Sequence, residues 1–333
     1  MATMAHFTRA FALFAALHSV ACSSDSAAPG ASAGSSGMSG TSGASGSAGA
    51  SNNGDAVVGS FITSLIGATD SDAAYTTVAG KVYDGVTPST VAWDMVSSSG
   101  GCQLLKPRAP FCDPACGNGA VCVGDDQCAN YPTAQDLGPV VMKGLGSADI
   151  TMKPIASTYS LPGDLTLPYP PAAEGAAQSL EVAGGPFGSF TVASKMVAPL
   201  VSEGTLTIED GKALDLTWTA PGDPALARMQ IKIDISHHGG TKGKIECDVA
   251  DSGKLQVSAE LISSLIQLGV AGFPSVSLTR VTTGSAAIAP GKVTLQVLSA
   301  VTRVLVVSGV QSCNTADDCP TGKACKQDLT CEP

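Results

Sequence analysis

Cysteine is the residue type whose number and spacing point most directly to chemistry in this sequence. The chain has 11 cysteines among its 333 residues. Thiols at close spacing can be oxidised to disulfides, or their thiolates can bind zinc. One of them, Cys22, stands alone near the start of the chain, and all the others lie between Cys102 and Cys331.

Two cysteine clusters share one pattern. They comprise Cys112, Cys116, Cys122 and Cys128, and Cys313, Cys319, Cys325 and Cys331. In both, the last three cysteines follow C-x2-G-x2-C-x5-C, with Gly119 and Gly322 at the same place. A glycine repeated at a fixed offset predicts one turn geometry used twice, at positive φ. Structural zinc sites prefer paired C-x2-C knuckles, so the spacing favours disulfides.

The pairing inside a cluster is open, because four cysteines allow three connectivities. We predict the alternating one, with bridges Cys112–Cys122, Cys116–Cys128, Cys313–Cys325 and Cys319–Cys331. Each would close a short loop and contribute about 2–3 kcal/mol in the chain-entropy model. By parity Cys102 pairs with Cys247, which lies in the strand-like stretch GKIECDV. Two buried free thiols are the alternative for this pair.

The first 21 residues have the features of an export signal. Residues 10–17 form an apolar run too short to span a bilayer, and Ser19, Val20 and Ala21 are small residues before Cys22. This junction resembles the lipobox of bacterial lipoproteins, although Ser19 stands where that family usually has Leu. The resemblance implies that Cys22 is the lipid-attachment residue, that a lipid anchors the chain to a membrane, and that the protein is exported to the outer membrane or cell surface. Ordinary cleavage after Ala21, giving a secreted or periplasmic protein, is the alternative.

Residues 22–54 follow as a tract of Ser, Gly and Ala. The tract has no periodic apolar face, so we predict a disordered linker between the anchor and the folded part. Removing Cys22 from the thiol pool also leaves an even number of cysteines for bridges.

Composition restricts the class of partner. The chain carries 18 Lys and Arg against 28 Asp and Glu, for a net charge of −10. An acidic chain repels phosphate backbones, so nucleic acid is excluded as an expected partner. Charged residues make up 14% and aromatic residues 5%, which favours a β-rich secreted protein.

The rest of the chain alternates apolar and polar residues with period two. Leu214, Leu216 and Trp218 share one side of a strand, for example. One helix is predicted over residues 259–268, where an apolar stripe ends before Gly269. We therefore predict a mainly β fold: an antiparallel β-sandwich with one short helix, small disulfide-rich modules and a disordered N-terminal tether. The predicted divisions are 1–21 signal peptide, 22–54 linker, 55–101 β-rich segment, 102–132 Cys-rich module, 133–310 β-sandwich and 311–333 C-terminal Cys-rich repeat.

This arrangement resembles uncharacterised lipoproteins of Gram-negative soil bacteria. Those combine a Ser/Gly-rich tether, an immunoglobulin- or fibronectin-like β-domain and Cys-rich repeats similar to truncated EGF-like modules. The resemblance implies an architecture and carries no activity.

Other chemistry-bearing residues give no catalytic pattern. His237 and His238 are predicted to lie in a turn after a strand, and no metal site is assigned to them; adventitious metal binding is the alternative. Acidic clusters are predicted to be solvated turns; weak calcium binding is the alternative. They are Asp70 and Asp72, Asp125 and Asp126, Asp248 and Asp251, and Asp317 and Asp318. No cofactor is expected beyond that weak possibility of Ca²⁺.

We expect a cell-surface lipoprotein with a non-catalytic binding or structural role, whose partner is a protein or cell-surface ligand of unknown identity. Two alternatives stay open: a secreted hydrolase with a carboxylate-based site on the β-domain, and a calcium-stabilised adhesin.

Overall fold

The computed structural model describes residues 56–69 and 71–332. Cys22, the predicted signal peptide, the predicted linker and Asp70 lie outside these residues. The strands are β1 (Val57–Ile66), β2 (Tyr75–Val82), β3 (Ala92–Ser99), β4 (Cys102–Arg108), β5 (Ala120–Gly124), β6 (Gln127–Asn130), β7 (Val140–Lys143), β8 (Ile150–Met152), β9 (Thr158–Ser160), β10 (Ala177–Val182), β11 (Phe190–Lys195), β12 (Leu206–Ile208), β13 (Leu214–Thr217), β14 (Arg228–Asp234), β15 (Lys244–Ala250), β16 (Lys254–Val257), β17 (Ser275–Ile288) and β18 (Gly291–Val307). The helix α1 spans Ala259–Gln267.

A ten-stranded sheet forms the frame of the fold. Its order is β3-β4-β15-β14-β17-β18-β1-β2-β9, and β12 pairs with the end of β18. The long hairpin β17–β18, paired from Ser275↔Val304 to Ile288↔Gly291, runs through its centre. Strands β1–β4 therefore share a sheet with β14, β15, β17 and β18, although the two groups come from opposite ends of the described sequence.

The mainly β class predicted from the sequence is confirmed, but the sheet is mixed rather than wholly antiparallel. Strand β1 pairs with β18 in parallel, as does β12. The alternating pattern of a strand shows which residues face the core, whereas it carries no information on the direction of a partner far away in the sequence.

One face of the large sheet carries two apolar cores. The first core includes Phe61 and Leu295 and is covered by a four-stranded sheet, β11-β10-β7-β8, through residues such as Met142 and Leu180. The second core includes Ile231 and Leu278 and is covered by α1 and the ribbon β13–β16. The registers place both sets of residues on the same face, so the fold is layered.

Helix α1 forms where the apolar stripe predicts it. The Ser258 side chain accepts a hydrogen bond from the Leu261 backbone N–H and caps the first turn. Leu261, Ile262 and Leu265 are buried against the second core. Gly269, at φ +95°, ends the helix in a conformation that suits glycine. No helix in residues 56–69 and 71–332 is both long and apolar enough to cross a membrane.

The two cysteine modules share their backbone geometry as well as their sequence pattern. Gly119 and Gly322 both have φ +82°, which confirms the predicted turn at positive φ. The residues seven positions later, Asp126 and Leu329, also agree, at φ +57° and +59°. In the first module β5 and β6 form a hairpin in which the backbones of Cys122 and Cys128 lie opposite each other. In the second module the backbones of Cys325 and Cys331 lie opposite each other in the same way, in an isolated antiparallel β-bridge.

Candidate functional site

An apolar groove of about 600 Å³ lies where the large sheet meets the C-terminal cysteine module. Its lining comes from the last residues of β18, from the segment before β17 and from the first residues of the C-terminal module. The principal lining residues are Phe273, Pro274, Val304, Val306, Val310 and Gln311. Pockets of 300–1,000 Å³ with a mostly apolar lining are the usual size for small-molecule sites.

The floor of the groove is the outer side of β18. Leu305 and Val307 point into the second core, so the period-two alternation turns Val304 and Val306 to the other face. Val304 is 69% exposed and Val306 is 41% exposed. Two neighbouring apolar side chains on one strand therefore remain open to solvent beside the groove.

The first wall of the groove is the segment before β17, and backbone hydrogen bonds hold it in place. Pro274 O accepts from Leu305 N at 3.0 Å, and His237 O accepts from Phe273 N at 2.7 Å. Gly272 N donates to Asp328 O at 2.7 Å, which joins this segment to the C-terminal module. The wall is thus held by β18, by the turn after β14 and by the module.

The second wall is the chain that leaves β18. It turns at Gly309, which has φ +81°, and Val310 N donates to Val307 O. Gln311 O then accepts from Cys331 N at 2.9 Å. Because Cys331 is bridged to Cys319, this wall depends on the oxidised module.

Among the described residues, none of those that line the groove carries a carboxylate, although the chain is acidic overall. The lining includes Arg303, but this residue alternates with Val304 and has its side chain on the inner face. Its Nη1 donates to Ser202 Oγ at 2.8 Å, and its Nη2 is buried without a hydrogen-bond partner. The groove can therefore take an apolar body, with Ser275, Thr302 and Gln311 among its polar lining residues.

The ten cysteines after Cys22 form five bridges. They are Cys102–Cys247, Cys112–Cys122, Cys116–Cys128, Cys313–Cys325 and Cys319–Cys331. These are the pairs that parity and the alternating scheme give. Sulphur atoms of three cysteines lie within 4.8 Å of one another in each module, as the stacking of two bridges requires. The Cys102–Cys247 bridge joins the neighbouring strands β4 and β15.

The acidic clusters bond to the chain itself. Asp72 Oδ2 accepts from the Thr69 and Ser71 hydroxyls, and Asp126 Oδ1 accepts from Asp113 N. Asp125 Oδ1 accepts from the Phe111 N–H and from the Arg108 guanidinium, and both bonds hold the pKa of Asp125 below its ordinary value.

Asp318 caps the turn that opens the C-terminal module. Its Oδ2 accepts from Asn314 N at 2.7 Å and from Thr315 N at 3.0 Å. These backbone hydrogen bonds lower the pKa of Asp318, because they favour the ionised carboxylate. Its neighbour Asp317 is exposed, in agreement with a solvated turn.

Asp248 and Asp251 do not lie in solvated turns, so that prediction is wrong for both residues. Asp248 lies within β15, and its carboxylate pairs with the Arg228 guanidinium. Asp251 follows the end of β15. It is fully buried and forms an ion pair with Arg280, which is also fully buried. The Trp218 indole Nε1 donates to the same carboxylate at 2.7 Å. Trp218 is a core residue, as its alternation with Leu216 predicts. The cause of the error is Arg280, a partner on β17 that the local sequence around Asp251 cannot reveal.

Sequence reasoning missed the groove. Val304 and Val306 belong to an uninterrupted apolar stretch, VLVV, in which the exposed valines and the buried Val307 have the same residue type. A strand with one solvent-facing side normally has polar residues at alternate positions, and this stretch has none. That lack was the signal that could have indicated an exposed apolar surface. Comparison with known proteins adds no assignment: no family model matches the chain, and no curated protein matches it.

Proposed function

We propose that this protein is an exported lipoprotein of the cell surface, attached to a membrane through Cys22, with a non-catalytic binding role. The groove at the end of β18 is the proposed binding site, and its preferred ligand is an uncharged, apolar molecule. The observation that carries the binding role is the exposure of Val304 and Val306 within a carboxylate-free groove. We also propose that the protein is one of the lipoproteins with an immunoglobulin- or fibronectin-like domain that its sequence resembles.

Several features support this role over a hydrolase or a calcium-stabilised adhesin. The carboxylates of Asp125, Asp251 and Asp318 are occupied by backbone, guanidinium or indole donors. These hydrogen bonds give the carboxylates a structural role within the chain. The export-type start of the sequence and the five bridges support an oxidising compartment.

The groove is tested with N-phenyl-1-naphthylamine, an uncharged apolar dye that fluoresces when it leaves water. We expect saturable binding to the full chain at a single site. Val304→Asp or Val306→Asp should weaken this binding at least tenfold, because a carboxylate would then be buried by the ligand. Val86→Asp is the matched control, since Val86 is a similarly exposed valine outside the groove lining, at 54%. Equal dye binding by the variants and the control would contradict the proposed site.

A further inference from the structure

The imidazole rings of His237 and His238 lie together on one turn at the mouth of the groove. Their centroids are 4.0 Å apart, the ring planes are tilted by 53°, and both residues are exposed. On a strand, two successive side chains would point to opposite faces. The turn brings the two rings together instead, and we propose that they bind a divalent transition-metal ion of the Cu²⁺, Ni²⁺ or Zn²⁺ type.

The turn that carries the two histidines has a backbone conformation that few residue types adopt readily. Gly239 N donates to Ser236 O at 2.9 Å, so Ser236–Gly239 is a β-turn with the two histidines at its centre. His238 has φ +63°, the sign that a type II turn requires at its third residue. Glycine or asparagine is favoured at such a position, whereas this chain keeps an imidazole there.

Contacts on several sides hold the turn in place. Phe273 N donates to His237 O, and Lys242 N donates to the hydroxyl of the buried Ser236 at 2.9 Å. Gly239 lies so close to the backbone of Ala271 and Gly272 that a Cβ at this position would collide with it. The two rings are therefore carried on a backbone that is already ordered, which reduces the entropy lost when an ion binds.

The donor set indicates the class of ion. Imidazole nitrogen is a good ligand for Cu²⁺, Ni²⁺ and Zn²⁺ and a poor one for Ca²⁺ and Mg²⁺. For a given set of nitrogen ligands Cu²⁺ binds most tightly in this series. Two protein ligands leave further coordination positions for water or for a donor atom of a second molecule. Because His237 also lines the groove, a bound ion would lie next to whatever occupies it.

The test uses Cu²⁺ and the full chain. The chain has four histidines, and Cys22 lies outside the five bridges. Every protein tested therefore also carries His6→Gln, His18→Gln and Cys22→Ala, so that His237 and His238 are the histidines left and no free thiol can bind or reduce Cu²⁺. We expect one Cu²⁺ per chain by calorimetry and an electron paramagnetic resonance spectrum with couplings from two imidazole nitrogens. His237→Gln and His238→Asn should each weaken binding at least tenfold; asparagine tolerates positive φ and preserves the turn.

Lys242→Gln is the matched control, because its exposed side chain lies beside the turn and only its backbone N–H is bonded to it. This variant should bind Cu²⁺ within about threefold of the parent. The proposal is overturned if the variant that lacks both histidines retains the parent affinity, or if the spectrum shows a single imidazole nitrogen. Thermal melts by circular dichroism establish that each variant is folded.

Discussion

Arg280 and Asp251 form a charged pair with almost no exposure to solvent, between the two cores of the large sheet. Besides the carboxylate, the guanidinium donates to the carbonyl oxygens of Ala198, Pro199 and Thr219. Burying two charges is costly, and it is tolerated only where such additional hydrogen bonds satisfy the remaining donors. The pair thus joins β17 and the residue after β15 to the segments that hold Ala198, Pro199 and Thr219.

Replacing Asp251 by asparagine should lower the free energy of unfolding by about 3–5 kcal/mol. The amide keeps the size of the side chain but leaves the Arg280 charge buried without a counter-charge. Urea unfolding followed by Trp fluorescence measures this loss.

The control is Asp248→Asn in β15, the strand that ends just before Asp251. Asp248 pairs with Arg228 at 2.6 Å, but both side chains are well exposed, so this change should cost about 0–1 kcal/mol. A cost for Asp251→Asn as small as that of the control would show that the buried pair does not stabilise the fold.

Individual residues were predictable from the sequence only where the signal is local. Gly119 and Gly322 follow from a repeated spacing, and Trp218 follows from its alternation with Leu216. Asp251 could not be placed, because its partner Arg280 is 29 residues away on another strand. The groove valines could not be placed either, since exposure there depends on where β17 begins and on how the C-terminal module folds back.

Among the elements, the C-terminal cysteine module shows how short segments without a core keep a fixed shape. Its bridges, Cys313–Cys325 and Cys319–Cys331, each close a loop with a sequence separation of 12. The carboxylate of Asp318 adds an acid-sensitive contact to them.

The C-terminal module should become more dynamic in acid. The hydrogen bonds from Asn314 and Thr315 lower the pKa of Asp318 in the folded chain, so their stabilisation is complete above the ordinary pKa. It is lost as the pH falls through the lower, folded value. Amide hydrogen exchange of residues 311–332, corrected for intrinsic rates, should therefore show reduced protection below about pH 4.

Asp318→Asn should remove this pH dependence at Asn314 and Thr315, because an amide side chain does not titrate in this range. The pKa of Asp328 is also lowered, first by the hydrogen bond from the Thr330 hydroxyl, so protection near Thr330 should keep its own pH dependence. Asp317→Asn in the same turn is the control and should leave the dependence in place. An unchanged pH profile in Asp318→Asn would show that another group controls the module.

Element types were more predictable than their arrangement. The helix was predicted over 259–268 and is observed at Ala259–Gln267, because its apolar stripe and Gly269 are local signals. The pattern of β14 likewise shows which of its residues are buried. Pairing order and direction were beyond reach, because β1 lies beside β18, which is more than 200 residues away.

The whole molecule joins distant parts of the chain by bridges and by the central hairpin. The Cys102–Cys247 bridge closes a loop with a sequence separation of 145, for which the chain-entropy model gives about 5 kcal/mol. The C-terminal module forms one wall of the groove, so oxidation of its cysteines is also a condition for the proposed binding site. Export and oxidation are therefore the central claim on which both the architecture and the proposed surface role depend.

The measurement that tests this claim most directly is the intact mass of the protein isolated without reduction from the cells that make it. We expect a chain that begins at Cys22, with a diacylglycerol on its sulphur, an acyl group on its amine and two hydrogen atoms missing for each of the five bridges. Peptide mapping should recover the pairs Cys102–Cys247, Cys112–Cys122, Cys116–Cys128, Cys313–Cys325 and Cys319–Cys331. A chain that retains residues 1–21 and carries free or zinc-bound thiols would show that the protein is neither exported nor oxidised.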